Sequence, residues 1–154
     1  MMTGLLAAAW YITFTSAVEK PMEYKKYLQQ AQKNEEKGIY YDAILEYKKA
    51  LEYDEDNRNI YMKIAEDYRN MGDDSGFIDA CNNAISLDGD NEQAIITLAD
   101  YYVEQDEKDD AIALLKKHIK KKKNNGALKA KLDSLAGDFQ FIGEEYDNIT
   151  DTCN

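Results

Sequence analysis

The chain has 154 residues, 44% hydrophobic and 32% charged, with a formal net charge of −11. That length allows one domain with short appendages, and that composition excludes wholesale disorder. The negative mean field argues against nucleic acid as a partner, since a duplex would be repelled, and favours basic or neutral partners. One proline and eight glycines point to helices, because both residues are costly in helix interiors. Twelve tyrosines suit helix–helix seams with the hydroxyl left at a wet edge. Cys81 and Cys153 form neither a CxxC nor a metal-spaced pair, so the core must hold the fold.

Residues 1–18 carry no charge, and Leu5 to Ile12 with Phe14 form an apolar block. As a helix this segment spans roughly 27 Å, just short of the ~30 Å hydrocarbon core of a bilayer. It reads as a membrane anchor, a signal peptide, the end of a longer membrane segment, or a helix docked on the domain. Thr15, Ser16 and Ala17 offer small residues for cleavage, but no Lys or Arg precedes the block. Lys20, Lys25 and Lys26 follow it. An anchor would therefore leave the following residues in the cytoplasm, and a cleaved signal would export them. The segment is taken as 1–22.

From residue 23 onward the sequence matches itself at a spacing of 34. Ala31, Ala65 and Ala99 align, as do Ile44, Ile78 and Ile112, and Asn57, Asn91 and Asn125. Gly38 matches Gly72, and Ala50 matches Ala84. Three units follow: 24–57, 58–91 and 92–125. Each reads as two helices. Ala43, Ile44, Tyr47, Ala50 and Leu51 stripe the second helix of unit one. In unit two, Tyr61, Ile64, Ala65 and Tyr68 fall at i, i+3, i+4 and i+7. Met71-Gly72-Asp73 interrupts, and Phe77, Ile78, Cys81, Ala84 and Ile85 form the next stripe. Unit three repeats the pattern with Ile95, Leu98, Ala99 and Tyr102, then Ala111, Ile112, Leu115 and Ile119. The aligned alanines belong where helices cross at 8–10 Å, which a larger side chain would prevent. Each aligned Asn is expected to N-cap the helix that follows it.

Ala127, Leu128, Lys131, Leu132 and Leu135 predict one further amphipathic helix to about Ala136, covering the last bare face of the stack. Residues 23–136 thus form the repeat domain. The tail, 137–154, changes character: Phe139 to Ile142 reads as a short strand.

These residues resemble the tetratricopeptide repeat (TPR) family, most closely over the run from Gly38 to Leu51. The family's unit has 34 residues, a small residue at position 8, glycine near 15, alanine at 20 and 27, and an aromatic at 24. Departures are Gln30 and Asn34 at usually apolar places, Phe77 and His118 at alanine places, and no proline at the unit ends. Gln30 and Asn34 imply a first helix that packs less tightly or leans on the N-terminal segment. The resemblance implies an all-α fold, a right-handed superhelix (α-α solenoid) of about seven helices. Residues 144–149 resemble the opening of WG-type β repeats, which follow helical repeats in some bacterial proteins, so 137–154 is either a frayed tail or the start of a following β region.

Features that could carry chemistry read as structure. His118, the single histidine, lies on an apolar stripe without ligands at helical spacing, as a core histidine does. Neither Asp54-Glu55-Asp56-Asn57 nor Asp88-Gly89-Asp90-Asn91 has the full spacing of a calcium loop, and turn and capping chemistry accounts for both. Lys116, Lys117 and Lys120 to Lys123 complement a helix C-terminus. No nucleophile elbow, HExxH or phosphate loop is present. The expectation is a non-enzymatic scaffold without cofactor or metal.

The resemblance implies that the first helix of each unit lines a concave groove. The matching places are Lys25, Leu28, Gln32 and Glu35; Asn59, Met62, Glu66 and Arg69; and Gln93, Ile96, Asp100 and Val103. Apolar residues mixed with acids suit a protein or peptide with apolar and basic residues. Chaperone-binding members use a carboxylate clamp of lysine, asparagine and arginine; the matching places here are Leu28, Gln32, Lys63, Gln93 and Thr97, of which only one is basic, so no clamp is expected. The alternative function is a structural spacer that positions a C-terminal β-repeat domain. An enzyme would require a catalytic domain from further sequence.

Overall fold

The computed structural model describes residues 22–87, 91–121 and 125–137. Seven helices and no strand occur among the described residues: α1 (22–35), α2 (Tyr40–Leu51), α3 (Arg58–Met71), α4 (Asp74–Leu87), α5 (Glu92–Glu104), α6 (Lys108–Ile119) and α7 (Gly126–Ala136). The apolar segment, apart from Met22 in α1, and the tail beyond Gly137, with its expected strand and WG-like residues, lie outside the described residues. The chain divides into two compact bodies, Met1–Ala80 and Cys81–Asn154, with α4 contributing its first half to one and its second half to the other.

In the first body α2 packs along α3. Ala31, Ala43, Ile44, Tyr47, Ala50, Ile60, Ile64, Ala65 and Phe77 are buried. Ala31 and Ala65 are both buried, as close helix crossing requires. The Tyr68 ring lies where a Cβ on Gly76 would stand, 2.4 Å away, so α4 can meet α3 there only with glycine. In the second body α6 packs on α5, and α7 on both. Leu98, Ala99, Tyr101, Leu115, Leu128, Leu132 and Leu135 form the core, joined by His118. Each leucine of α7 contributes about 1.5–3 kcal/mol through burial, enough to hold a helix of only 11 residues.

The 34-residue period appears in the backbone as well as in the packing. Gly38 and Gly72 both take φ 71°, and Asp106, 34 residues further on, takes φ 65°. Around each, one amide reaches back three residues and the next reaches back five. These are Gly38 to Glu35 and Ile39 to Asn34, Gly72 to Arg69 and Asp73 to Tyr68, and Asp106 to Val103 and Glu107 to Tyr102. This left-handed C-terminal turn ends the first helix of every unit and satisfies its last carbonyls.

The capping expectation holds at two of three sites. Asn57 accepts from the amides of Asn59 and Ile60, and Asn91 accepts from Ala94. Asn125 makes no cap bond. It is buried, and its Nδ2 donates to the Ile119 carbonyl at 2.7 Å. The bond satisfies a carbonyl in the last turn of α6, and a buried carbonyl left unpaired costs more than an uncapped amide facing water.

The surface of α1 departs from the period. α3 buries Ile60, Ile64 and Asp67, α5 buries Ala94, Leu98 and Tyr101, and α7 buries Leu128, Leu132 and Leu135. The counterparts on α1 are Lys26, Gln30 and Lys33, all exposed. Gln30 is thus solvated, whereas Asn34, the other polar departure, is buried.

Candidate partner-binding surface

In the first body α1 presents Lys25 and Gln32 to solvent, with Leu28 and Glu35 half-buried. α3 presents Asn59, Glu66 and Arg69 exposed, with Met62 half-buried. The Asn59 amide belongs to the cap of α3, and the Arg69 guanidinium lies 5.8 Å from the centre of the Phe77 ring. Glu35 and Glu66 are brought together by Lys63, whose Nζ is 3.6 Å from Glu35 Oε1 and 3.1 Å from Glu66 Oε2. The hydrogen bond to Glu66, with the charge of Glu35, raises the Lys63 pKa against the opposing effect of burial. Lys63, the one basic residue at the clamp places, is therefore already held by two carboxylates.

Beneath this group lie Asp67, which the sequence reading did not single out, and Tyr47, which it read only as part of a packing stripe. Asp67 is 1% exposed, and neither of its carboxylate oxygens has a hydrogen-bond partner. Burial, then the charges of Glu35 and Glu66, push its pKa up to about 7, with Lys63 opposing. Tyr47, buried on α2, hydrogen-bonds Glu35. Burial and then the Glu35 charge hold its phenol far above the ordinary range. The signal for Asp67 was present in the sequence: it continues the Ile60–Ile64 stripe at helical spacing. An acid on an apolar stripe is the kind of buried polar residue that calls for an explanation.

In the second body α5 presents Gln93 exposed and Ile96, Asp100 and Val103 half-buried. Gln93 donates to Thr97 Oγ1 at 3.4 Å. Asp100 is ion-paired with Lys131 of α7. The helix predicted to cover the end of the stack thus also neutralises one acid of the expected groove. Lys131 stands 68 residues, two periods, after Lys63, so the same register supplies a lysine to groove acids in both bodies.

The other polar clusters are structural. Asn57 Nδ2 donates to Tyr24 Oη at 2.9 Å and to Asp54 Oδ2 at 2.8 Å, which ties the turn after α2 to α1. His118 and Cys81 are buried. Lys116 and Lys117 lie in the last turn of α6, as dipole complementarity expects.

No family model matches the sequence, and no curated protein matches it. Among solved structures the chain is similar to that reported as "Crystal structure of MamA protein", a TPR-containing protein, at 25% identity and a TM-score of 0.56. The match covers 75% of this chain and 63% of that one, so the chain spans less than two thirds of MamA's length. The period, the recurring turn and this likeness agree on an all-α, TPR-like helical-repeat fold.

Proposed function

We propose that the chain is a non-enzymatic scaffold whose two bodies each offer a surface for a protein or peptide, the first through the outward faces of α1 and α3 and the second through that of α5. The observation that carries this reading is the state of Leu28, Met62, Ile96 and Val103. All four are apolar, all stand at the groove places, and all remain partly open to solvent while neighbouring stripe positions are buried. Apolar anchors set among polar groups are how peptide-binding surfaces obtain affinity from a few side chains. The acids around them favour a ligand with basic residues.

The test is photo-crosslinking from Gln32 and Asn59 in the full chain, followed by pulldown of the crosslinked partner with Met62→Glu and, separately, Ile96→Glu. Each change is expected to lower capture at least about tenfold, as removal of a buried anchor does. Asn82→Glu, exposed on α4, should leave it unchanged. Undiminished capture by Met62→Glu and Ile96→Glu chains with native helical signal would remove the groove reading.

A further inference from the structure

Glu35, Glu66 and Lys63 form an arrangement whose chemistry goes beyond a general peptide groove. A single ammonium lies within 4 Å of two carboxylates that come from different helices. Asp67 lies in the field of both acids, buried and without a hydrogen-bond partner. An unpaired buried carboxylate is expensive. The chain itself shows that packing does not demand one: at the same register α5 buries Tyr101 and α7 buries Leu135. The extra negative charge therefore needs a reason other than filling space.

We propose that Glu35 and Glu66, backed by Asp67, form a receptor for one cationic side chain, a lysine or arginine of a bound peptide. The Lys63 ammonium is its resident stand-in. The proposal rests on the reading of a peptide partner on this face and names the chemistry of one anchor.

Three observations support it. The spacing already holds a cationic head between the two acids. The site is open on the α3 side, where the Lys63 and Glu66 side chains are 47% and 62% exposed, while Glu35 is 20% exposed and forms its inner wall. Exposed ion pairs are weak, so Lys63 can swing aside at little cost. A guanidinium, planar and with five donors, bridges two carboxylates better than an ammonium does. One lysine against two glutamates leaves net negative charge for an incoming cation to neutralise, and Asp67 adds to it above about pH 7. An inorganic cation fits less well: no group of three or more acidic, histidine or cysteine side chains among the described residues is placed to hold a metal ion.

The experiment is an NMR titration of the full chain at pH 8, following side-chain carboxyl shifts. The probe is N-acetyl-arginine-N-methylamide, with the uncharged citrulline analogue as control. Saturable shifts are expected at Glu35 and Glu66 with the arginine probe and none with citrulline. Glu35→Gln with Glu66→Gln should weaken binding roughly tenfold, about 1.4 kcal/mol. Lys63→Met should strengthen it several-fold by removing the competitor, and Asp67→Asn should weaken it several-fold without touching the probe. Shifts that never saturate, or that are equal at the exposed Asp42 and Glu52, would overturn the receptor, as would a Lys63→Met chain with unchanged affinity. If the receptor fails while Met62→Glu still abolishes partner capture, the groove reading stands alone. If Met62→Glu also has no effect, both fall.

Discussion

Asp67 is the residue at which folding and the proposed binding chemistry pull in different directions. Its carboxyl titrates near pH 7 in the folded chain and near the ordinary aspartate value, about 4, once unfolded. Between those values the folded state holds more protons than the unfolded state, so stability falls as pH rises from about 4 to about 7 and is flat above. Asp67→Leu, the residue that α7 uses at this register, should remove that slope. The variant should be more stable at pH 8 by on the order of 2–4 kcal/mol, since each pKa unit corresponds to about 1.4 kcal/mol. Near pH 4 it should differ much less. Urea midpoints measured from pH 4.5 to 8 would decide this, and a wild-type midpoint that rises with pH across the window would contradict the assignment. Ile60, Ile64 and the acid after them were legible as a stripe, but Asp67's surroundings were not. They depend on Glu35 and Tyr47, which lie 32 and 20 positions away and meet Asp67 only when α1 and α2 close on α3.

At the scale of elements, the period was legible because helix crossings and helix ends use few residue types. Alanine at a crossing and glycine after a helix are visible in one dimension. The third turn was hidden because aspartate replaces glycine at 106, yet the backbone repeats the same left-handed turn there. No atom would lie within 4 Å of a Cβ on Gly72, so Gly72→Ala tests the backbone alone. It should cost about 1 kcal/mol, the price of placing an L side chain in that region. Asp106→Gly should gain a few tenths to about 1 kcal/mol, the relief being partly offset by a more flexible unfolded chain. Thermal unfolding of both variants reads the signs directly. Equal and like-signed shifts would mean that Asp106 does not hold the geometry of Gly72. The Asn series shows the opposite case: three residues of one type at one spacing, of which Asn125 has a different task. Sequence spacing marks where a polar side chain is needed, but the competing demand, here the Ile119 carbonyl, arises only from packing.

For the molecule as a whole, the net charge of −11 favours basic or neutral partners, but does not tell how much of that charge the chain answers for itself. Lys63 and Lys131 each turn toward acids at the expected groove places, so part of the formal charge is answered within the chain. The Lys63–Glu66 pair, at i and i+3 on α3, was legible as a spacing, but Lys63–Glu35 and Lys131–Asp100 were not, because each joins two helices. Fold class and helix number were legible, since both follow from the period.

The Asn125 bond has one further consequence, for the order in which the C-terminal region opens. α3 carries its own cap, so its first turn is secured locally. α7 has no cap of its own, and the residue that would supply one grips the end of α6 instead. Hydrogen exchange should therefore find the first turn of α7 poorly protected, while its later amides and the last amides of α6 exchange together as one cooperative segment. Asn125→Ala should speed exchange in both helices at once, whereas Asn57→Ala should loosen only the first turn of α3. Independent exchange of α6 and α7 in the Asn125→Ala chain would show that the leucine contacts, and not this side chain, join their fates.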